Sequence, residues 1–338
     1  MSSKLPAKTK KVQGKEITVK GSNITPKWNY SKSIEDPSHI KLKPKYDLFI
    51  DGKWQKTAKY FNTINPATEE VIAKVASAEK KDVDKAINAA EKAFNGEWSK
   101  ISGKERAKYI FRIARILQEK AREFAVIESL DGGKPIRESK SVDIPLAIAH
   151  FFYYAGWADK LKYAFPGQNP KPIGVVAQII PWNFPLLMAA WKIAPALACG
   201  NTVVIKSAET TPLTLYKLAE VIQEAGVPDG VVNIISGAGE TGAWMVNNPK
   251  VKKIAFTGST EVGKIIMKSI AGTDKKLTLE LGGKAANIIF EDAPIDAAIE
   301  GIINGIYFNQ GHVCCAGSRL LVQESIKDIV IKKLKHRM

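Results

Sequence analysis

The sequence has little cysteine, little histidine and no long apolar run, and each scarcity removes a class of protein. Cys199, Cys314 and Cys315 are the only cysteines in 338 residues. Three thiols without regular spacing do not make a disulfide framework, and the neighbours Cys314 and Cys315 can close only a strained ring. A reducing, cytoplasmic setting is the natural expectation. The four histidines stand at 39, 150, 312 and 336, a spacing that offers no metal site. No apolar stretch approaches the ~20 residues of a membrane span. The first twenty residues mix lysine with polar side chains where a signal peptide would carry an apolar core.

Acid is also scarce. Fifty Lys and Arg stand against 34 Asp and Glu, a net charge of +16. The basic residues are spread along the chain without interleaved aromatics, so neither nucleic acid nor a membrane is the expected partner. A modest positive field also suits an anionic dinucleotide or an acidic metabolite. The remaining composition, 45% hydrophobic and 25% charged, is that of an ordinary soluble chain able to form one large domain or two smaller ones.

Residues 1–45 read as a poorly ordered basic arm, rich in lysine and broken by Gly21, Pro26, Pro37 and Pro44. Ordered structure is expected from Leu48, where a short strand, an Asp51-Gly52 turn and a return strand follow one another. Val83, Ile87, Ala90 and Phe94 recur at helical spacing. Ser102 and Glu105 form a capping-box pattern ahead of a second apolar series from Ala107 to Phe124, which Gly132-Gly133 should stop. From Gly174 the pattern changes. Short apolar strands at Val175–Ile180, Thr202–Lys206, Val231–Ile235, Ile254–Thr257 and Leu277–Leu281 alternate with helices. That alternation predicts an α/β fold with a doubly wound, Rossmann-like parallel sheet covered on both faces. Such sheets bind ligands at the carboxyl ends of their strands, so the residues just after each strand are the candidates.

After the first strand comes Pro181-Trp182-Asn183-Phe184-Pro185. A pinned amide can donate to a developing oxyanion, or it can simply cap the next helix. After the second, Lys206, Ser207 and Glu209 can hold ribose hydroxyls or a phosphate, or form a solvated loop. Ser236-Gly237-Ala238-Gly239 follows the third, a weak signal without a third spaced glycine. Gly258 and Ser259 open a helix after the fourth, which suits a pyrophosphate. After the start of the fifth, Glu280 interrupts an apolar run. Partial burial would suit it to general-base work, and a salt bridge to a nearby lysine is the plainer alternative. Small residues around Cys314 leave room for a substrate, although buried cysteines are usually inert, as Cys199 is expected to be.

Taken together, Pro181-Trp182-Asn183-Phe184-Pro185, Phe256-Thr257-Gly258-Ser259-Thr260-Glu261-Val262-Gly263, Leu279-Glu280-Leu281-Gly282-Gly283-Lys284 and Gly311-x-x-Cys314 resemble the aldehyde dehydrogenase superfamily in order and spacing, from about Leu48 onward. The resemblance implies a dinucleotide-binding domain over residues 46–283 and the start of a catalytic domain over 284–338, the rest of that domain lying beyond a C-terminally truncated chain. It implies Cys314 as nucleophile, Glu280 as base and Asn183 as oxyanion donor. Trp182, Lys206, Ser207, Glu209, Gly239, Gly258 and Ser259 would line the cofactor site. The implied reaction oxidises an aldehyde to a carboxylic acid through a thiohemiacetal and a thioester, with NAD favoured by Glu209 and NADP an alternative.

Two departures accompany the resemblance. His312 stands where the family often has Gln, and the stretch from Lys160 to Ile173 is short for an oligomerising hairpin, so a homo-oligomer is doubtful. Two rival readings compete with it. One is a Cys-His hydrolase using Cys314 and His312. The other is a non-catalytic or split-gene fragment that binds the cofactor or a partner.

Overall fold

The computed structural model describes residues 31–338, so most of the basic arm expected over residues 1–45 lies outside the described residues. Structure begins earlier than Leu48. The Asp36 carboxylate accepts from the Ser38 N–H at 2.8 Å and caps a short turn, Pro37–His39. Strand β1 (Lys45–Tyr46) follows, then β2 (Leu48–Ile50) and β3 (Lys53–Gln55). Asp51 and Gly52 both have positive φ, 53° and 68°, the left-handed pair that a two-residue hairpin requires. Strands β4 (Lys59–Ile64) and β5 (Val71–Ser77) pair antiparallel, and β1 adds to β5 in parallel, giving a three-stranded sheet. Periodicity did not single this sheet out.

The helix Lys80–Ala93 buries Val83, Ile87 and Ala90 as its spacing predicts. Ser102 Oγ accepts from the Glu105 N–H at 3.2 Å and starts the next helix. The apolar series expected to continue to Phe124 is broken at Lys120 (φ −95°, ψ 11°), giving Gly103–Glu119 and Ala121–Gly132. Gly133, at φ 70°, ends the second, a left-handed cap that glycine adopts without Cβ strain. A further apolar helix, Ile144–Trp157, packs against Gly103–Glu119 and against Pro185–Ala198.

The main sheet contains β6 (Val175–Ile179), β7 (Thr202–Lys206), β8 (Val232–Ile235), β9 (Val251–Gly258) and β10 (Lys276–Leu281). Its order is β10-β9-β6-β7-β8-β2-β3. Strands β6 to β10 are mutually parallel, and β2 joins β8 antiparallel. The chain winds outward from β6 through β7 and β8, then returns to β9 and β10 on the other side. The winding therefore reverses between β6 and β9, where doubly wound sheets open a crevice. Helices Pro185–Ala198 and Leu213–Glu224 cover one face with Ile193, Leu197, Leu215 and Leu218. Helices Lys80–Ala93, Gly239–Asn247 and Thr260–Ile270 cover the other with Ile87, Met245 and Ile266. This is the doubly wound α/β architecture expected from the alternating pattern.

Beyond β10, β11 (Ala286–Ile289) and β12 (Arg319–Val322) form a parallel pair. Helices Ile295–Tyr307 and Lys327–Arg337 pack on it around Ile289, Ile299, Ile302 and Val330. The segment between Tyr307 and β12 returns to the carboxyl ends of the main sheet and carries Cys314.

Candidate active site

A cavity of about 750 Å³ opens at the carboxyl ends of β6, β7 and β9, within the range of small-molecule and cofactor sites. Trp182, Asn183, Lys206, Glu209, Gly239, Gly258, Ser259 and Cys314 all line it. Seven positions chosen from strand ends thus meet Cys314, from the loop before β12, in one crevice. Ser207 does not line it. Its hydroxyl is fully buried and pairs with the Ser236 hydroxyl, tying the β7 loop to the β8 loop.

Lys206 is only 4% exposed. Its Nζ donates to the Ser207 carbonyl at 2.8 Å and stands 3.5 Å from the Glu209 carboxylate. Burial pushes the Lys206 ammonium below its ordinary value, and Glu209 partly offsets this. A buried cation beside an exposed carboxylate presents both a donor and an acceptor to a ligand's hydroxyls. The sugar of a nucleotide fits that donor set. Ser259 Oγ accepts from the Val262 N–H at 3.2 Å and caps Thr260–Ile270. The first turn of that helix faces the crevice with N–H groups that have no intrahelical acceptor, a setting for anionic oxygens. A Cβ on Gly258 would stand 2.5 Å from Phe256 Cζ, so glycine is required for the turn to pass over that ring.

Asn183 does not cap the following helix, whose N-cap is Phe184 with no side-chain bond. Its Nδ2 instead donates to the main-chain oxygen of His312 at 2.7 Å. A carboxamide carries two N–H groups, so one remains for a ligand. Asn309 completes the arrangement. Its Nδ2 reaches the carbonyls of Asn183 (2.9 Å) and His312 (3.3 Å), and its N–H donates to Glu138 Oε2 at 2.7 Å. Asn309, Gln310 and Gly311 all have positive φ, 49°, 58° and 77°. Three consecutive left-handed residues wind the chain tightly just before Cys314.

Cys314 is exposed at the mouth of the cavity. Partial burial, then the neighbouring Cys315, pushes its thiol above the ordinary value. The resting thiol is therefore protonated at neutral pH. His312 turns away from a Cys-His pairing, its ring packed edge-on against Trp182 at 4.8 Å. Cys199 is half-buried with its thiol pushed up by burial, in keeping with an inert role.

Glu280 is exposed rather than partly buried, because β10 is the edge strand of the sheet. The strand alternates: Leu279 and Leu281 pack inward against the core while Glu280 points to the other face. There Glu280 lines a second cavity of about 360 Å³ with Lys192, Thr278 and Phe256. Phe256 borders both cavities. The ammonium of nearby Lys284 donates to the Gly283 carbonyl at 3.3 Å. Lys192 is 7% exposed and donates to Thr257 Oγ1 at 2.5 Å. Burial pushes its ammonium down to about 8, with Glu280 pulling the other way.

Sequence reasoning missed Lys192, Asn309 and Glu138. Lys192 had a signal, being the only charge in the otherwise apolar helix Pro185–Ala198. Asn309 and Glu138 had none, since the bond between them joins residues 171 apart.

The fold and site define a doubly wound α/β chain with a cysteine-bearing loop at the crevice beyond its strand ends. Residues 54–338 match the aldehyde dehydrogenase family, and the chain belongs to that family. It is 49% identical over 319 residues to an aldehyde dehydrogenase of Alternaria alternata, covering 91% of this chain and 64% of the relative. It is 49% identical over 299 residues to the putative aldehyde dehydrogenase DhaS of Bacillus subtilis, covering 85% and 60%. The NAD+ complex of an aldehyde dehydrogenase from Bacillus cereus superposes with a TM-score of 0.84 at 42% identity, over 88% of this chain and 65% of that one. The chain thus spans less than two thirds of the length of these relatives. Among the described residues, no helix is long and apolar enough to cross a membrane.

Proposed function

We propose that this chain carries the cofactor site and the nucleophile of an NAD-dependent aldehyde oxidation. The observation that carries the reading is the Asn183–His312 bond, which sets an amide donor beside the Cys314 loop at the mouth of the crevice. Residues 46–283 would form the dinucleotide-binding domain, and 284–338 the start of the catalytic domain. Lys206 and Glu209 would hold the adenosine ribose, and a carboxylate there favours a free diol, hence NAD over NADP. Gly239, Gly258 and Ser259 would pass close to the adenosine and pyrophosphate, with Trp182 at the edge of the crevice.

In this reading the Cys314 thiol gives its proton to solvent water, and the thiolate adds to the aldehyde carbon. The free N–H of Asn183 and the Cys314 N–H hold the resulting alkoxide as it develops. The nicotinamide, when bound, would supply the hydride acceptor for this oxidation, and Cys314 would then hold the acyl group as a thioester. Glu280 then takes a proton from water, the water adds to the thioester, and the carbon–sulfur bond breaks to release a carboxylic acid. A carboxylate at the base position supports hydrolysis over transfer to another thiol. Three free cysteines support a reducing, cytoplasmic setting.

A second reading is cofactor binding without turnover. It is favoured by Glu280 lining the adjoining cavity rather than the one that holds Cys314. One experiment separates the two. Calorimetry with NAD and NADP is combined with an absorbance assay for NADH on short aliphatic and aromatic aldehydes. Binding with NADH formation supports the first reading. Binding without it supports the second, and failure to bind either dinucleotide removes both.

A further inference from the structure

We propose that Glu138, acting through Asn309, is a positioning residue that holds Asn183 and the Cys314 loop in one register. The inference rests on the reading of Cys314 as nucleophile and Asn183 as oxyanion donor.

Glu138 ends the short helical turn Ile136–Glu138 and is 8% exposed. Its Oε2 accepts the Asn309 main-chain N–H at 2.7 Å. Asn309 is 2% exposed, so this donor has no access to water, and a buried N–H left alone carries a desolvation penalty. A bond to a charged acceptor is also stronger than a neutral one. The bond falls at the first of three left-handed residues. A non-glycine residue incurs a conformational cost there and keeps that conformation only when its surroundings over-determine it. Glu138 supplies that determination from one side. Gln310 Nε2, donating to the Gly133 carbonyl at 2.7 Å, supplies it from the next residue.

Once Asn309 is fixed, its amide has a single orientation. It donates to Asn183 O and His312 O, the same His312 carbonyl that receives Asn183 Nδ2. One carbonyl thus anchors two amides, and both belong to the frame around Cys314. The support continues behind the site. The buried ammonium of Lys134 lies 4.4 Å from the centre of the Phe184 ring and pairs with Asp143. Glu138 touches none of the reacting groups. Its effect passes entirely through the loop.

The test uses Glu138→Ala, Glu138→Gln and Asn309→Asp in the full chain, read by hydrogen exchange of the 308–318 segment and by NADH formation. In Glu138→Ala, exchange in that segment should quicken by at least about tenfold while β6 to β9 keep wild-type protection. Turnover should fall about 10²-fold with the KM for NAD within about twofold, the signature of misplacement rather than lost binding. Glu138→Gln offers an amide oxygen to the same N–H and should return both readouts to within about threefold of wild type. Asn309→Asp keeps the left-handed preference but cannot donate to either carbonyl, and should behave like Glu138→Ala. Unchanged exchange in a folded Glu138→Ala or Asn309→Asp protein would overturn the proposal. So would a Glu138→Gln protein as impaired as Glu138→Ala. Absence of NADH formation by the wild-type chain would retire the catalytic reading, and the exchange arm, which needs no turnover, would still decide whether Glu138 holds the loop.

Discussion

Asn183 and His312 are joined by a 2.7 Å bond from the carboxamide of one to the main-chain oxygen of the other. A residue fixed by the end of β6 therefore holds the backbone two residues before Cys314. The donor of the crevice and the loop of the nucleophile are one unit, so loss of either end disturbs both.

Asn183→Ala removes the anchor and the free donor together. Turnover of the active protein is expected to fall by ~10²–10³-fold, the range for losing one oxyanion donor. Calorimetric affinity for NAD should stay near wild type, because Lys206, Glu209 and the Gly258 turn are untouched. Asn183→Ala with near-normal turnover would remove the residue from the mechanism.

Cys314 rather than Cys315 is expected to carry the acyl group. Iodoacetamide labelling should persist in Cys315→Ser and be lost at the acyl site in Cys314→Ser, read by peptide mass spectrometry. Because the Cys314 thiol is pushed up by burial and by Cys315, its labelling without dinucleotide should climb with pH through a midpoint above the ~8.5 of a free thiol. A midpoint well below that value would mean that the loop activates the sulfur unaided.

Much of this arrangement was legible because strand, turn and helix signals are local. Val175–Ile179 is apolar except for Gln178, Thr202–Lys206 is apolar between its two polar ends, and each lies where the pattern predicts. Their ends are where a doubly wound sheet binds ligands, so Lys206 and Asn183 could be named in advance. The expected partial burial of Glu280 failed for a different reason. A carboxylate within an apolar run reads as partly buried, but its exposure depends on β10 being an edge strand, and strand order is not written in local pattern. The sheet of β1, β4 and β5 escaped notice because β1 spans two residues and β5 alternates imperfectly. Glu138 and Asn309 depend on a contact between distant segments that no periodicity encodes.

Glu280→Gln separates the base from the cofactor site. The substitution should leave NAD binding intact and slow turnover by ~10²–10⁴-fold, the usual weight of a general base. Near-normal turnover would assign the water-activating step elsewhere. A comparison with Lys192→Met tests whether the neighbouring ammonium, already pushed down to about 8 by burial, matters to that step. If it does, the pH profile of turnover should change shape in Lys192→Met as well as in height.

The last prediction concerns two carboxyls buried behind the site. Glu128 is 1% exposed, and burial raises it to about 7 despite Lys134 at 3.7 Å. Burial likewise raises Asp131 to about 7, although Thr63 Oγ1 (2.6 Å) and the Leu213 N–H (2.8 Å) donate to it. Both folded values lie above the ~4 of an unfolded carboxyl. Between roughly pH 4 and pH 7 the folded state therefore binds more protons than the unfolded chain, and linkage makes stability fall as pH rises. The contribution is whole below the unfolded values and gone once pH passes the folded ones. Glu128→Gln removes one of these protons without changing shape. The variant should gain stability relative to wild type on going from pH 5 to pH 8. A gain above about 1 kcal/mol is expected, because a carboxyl that titrates even one pH unit higher when folded is worth about that much. Urea unfolding of both proteins at the two pH values measures the difference directly, and other titrating groups cancel in the comparison. A difference that does not change with pH would mean that Glu128 is ionised in the folded protein, with Lys134 outweighing burial.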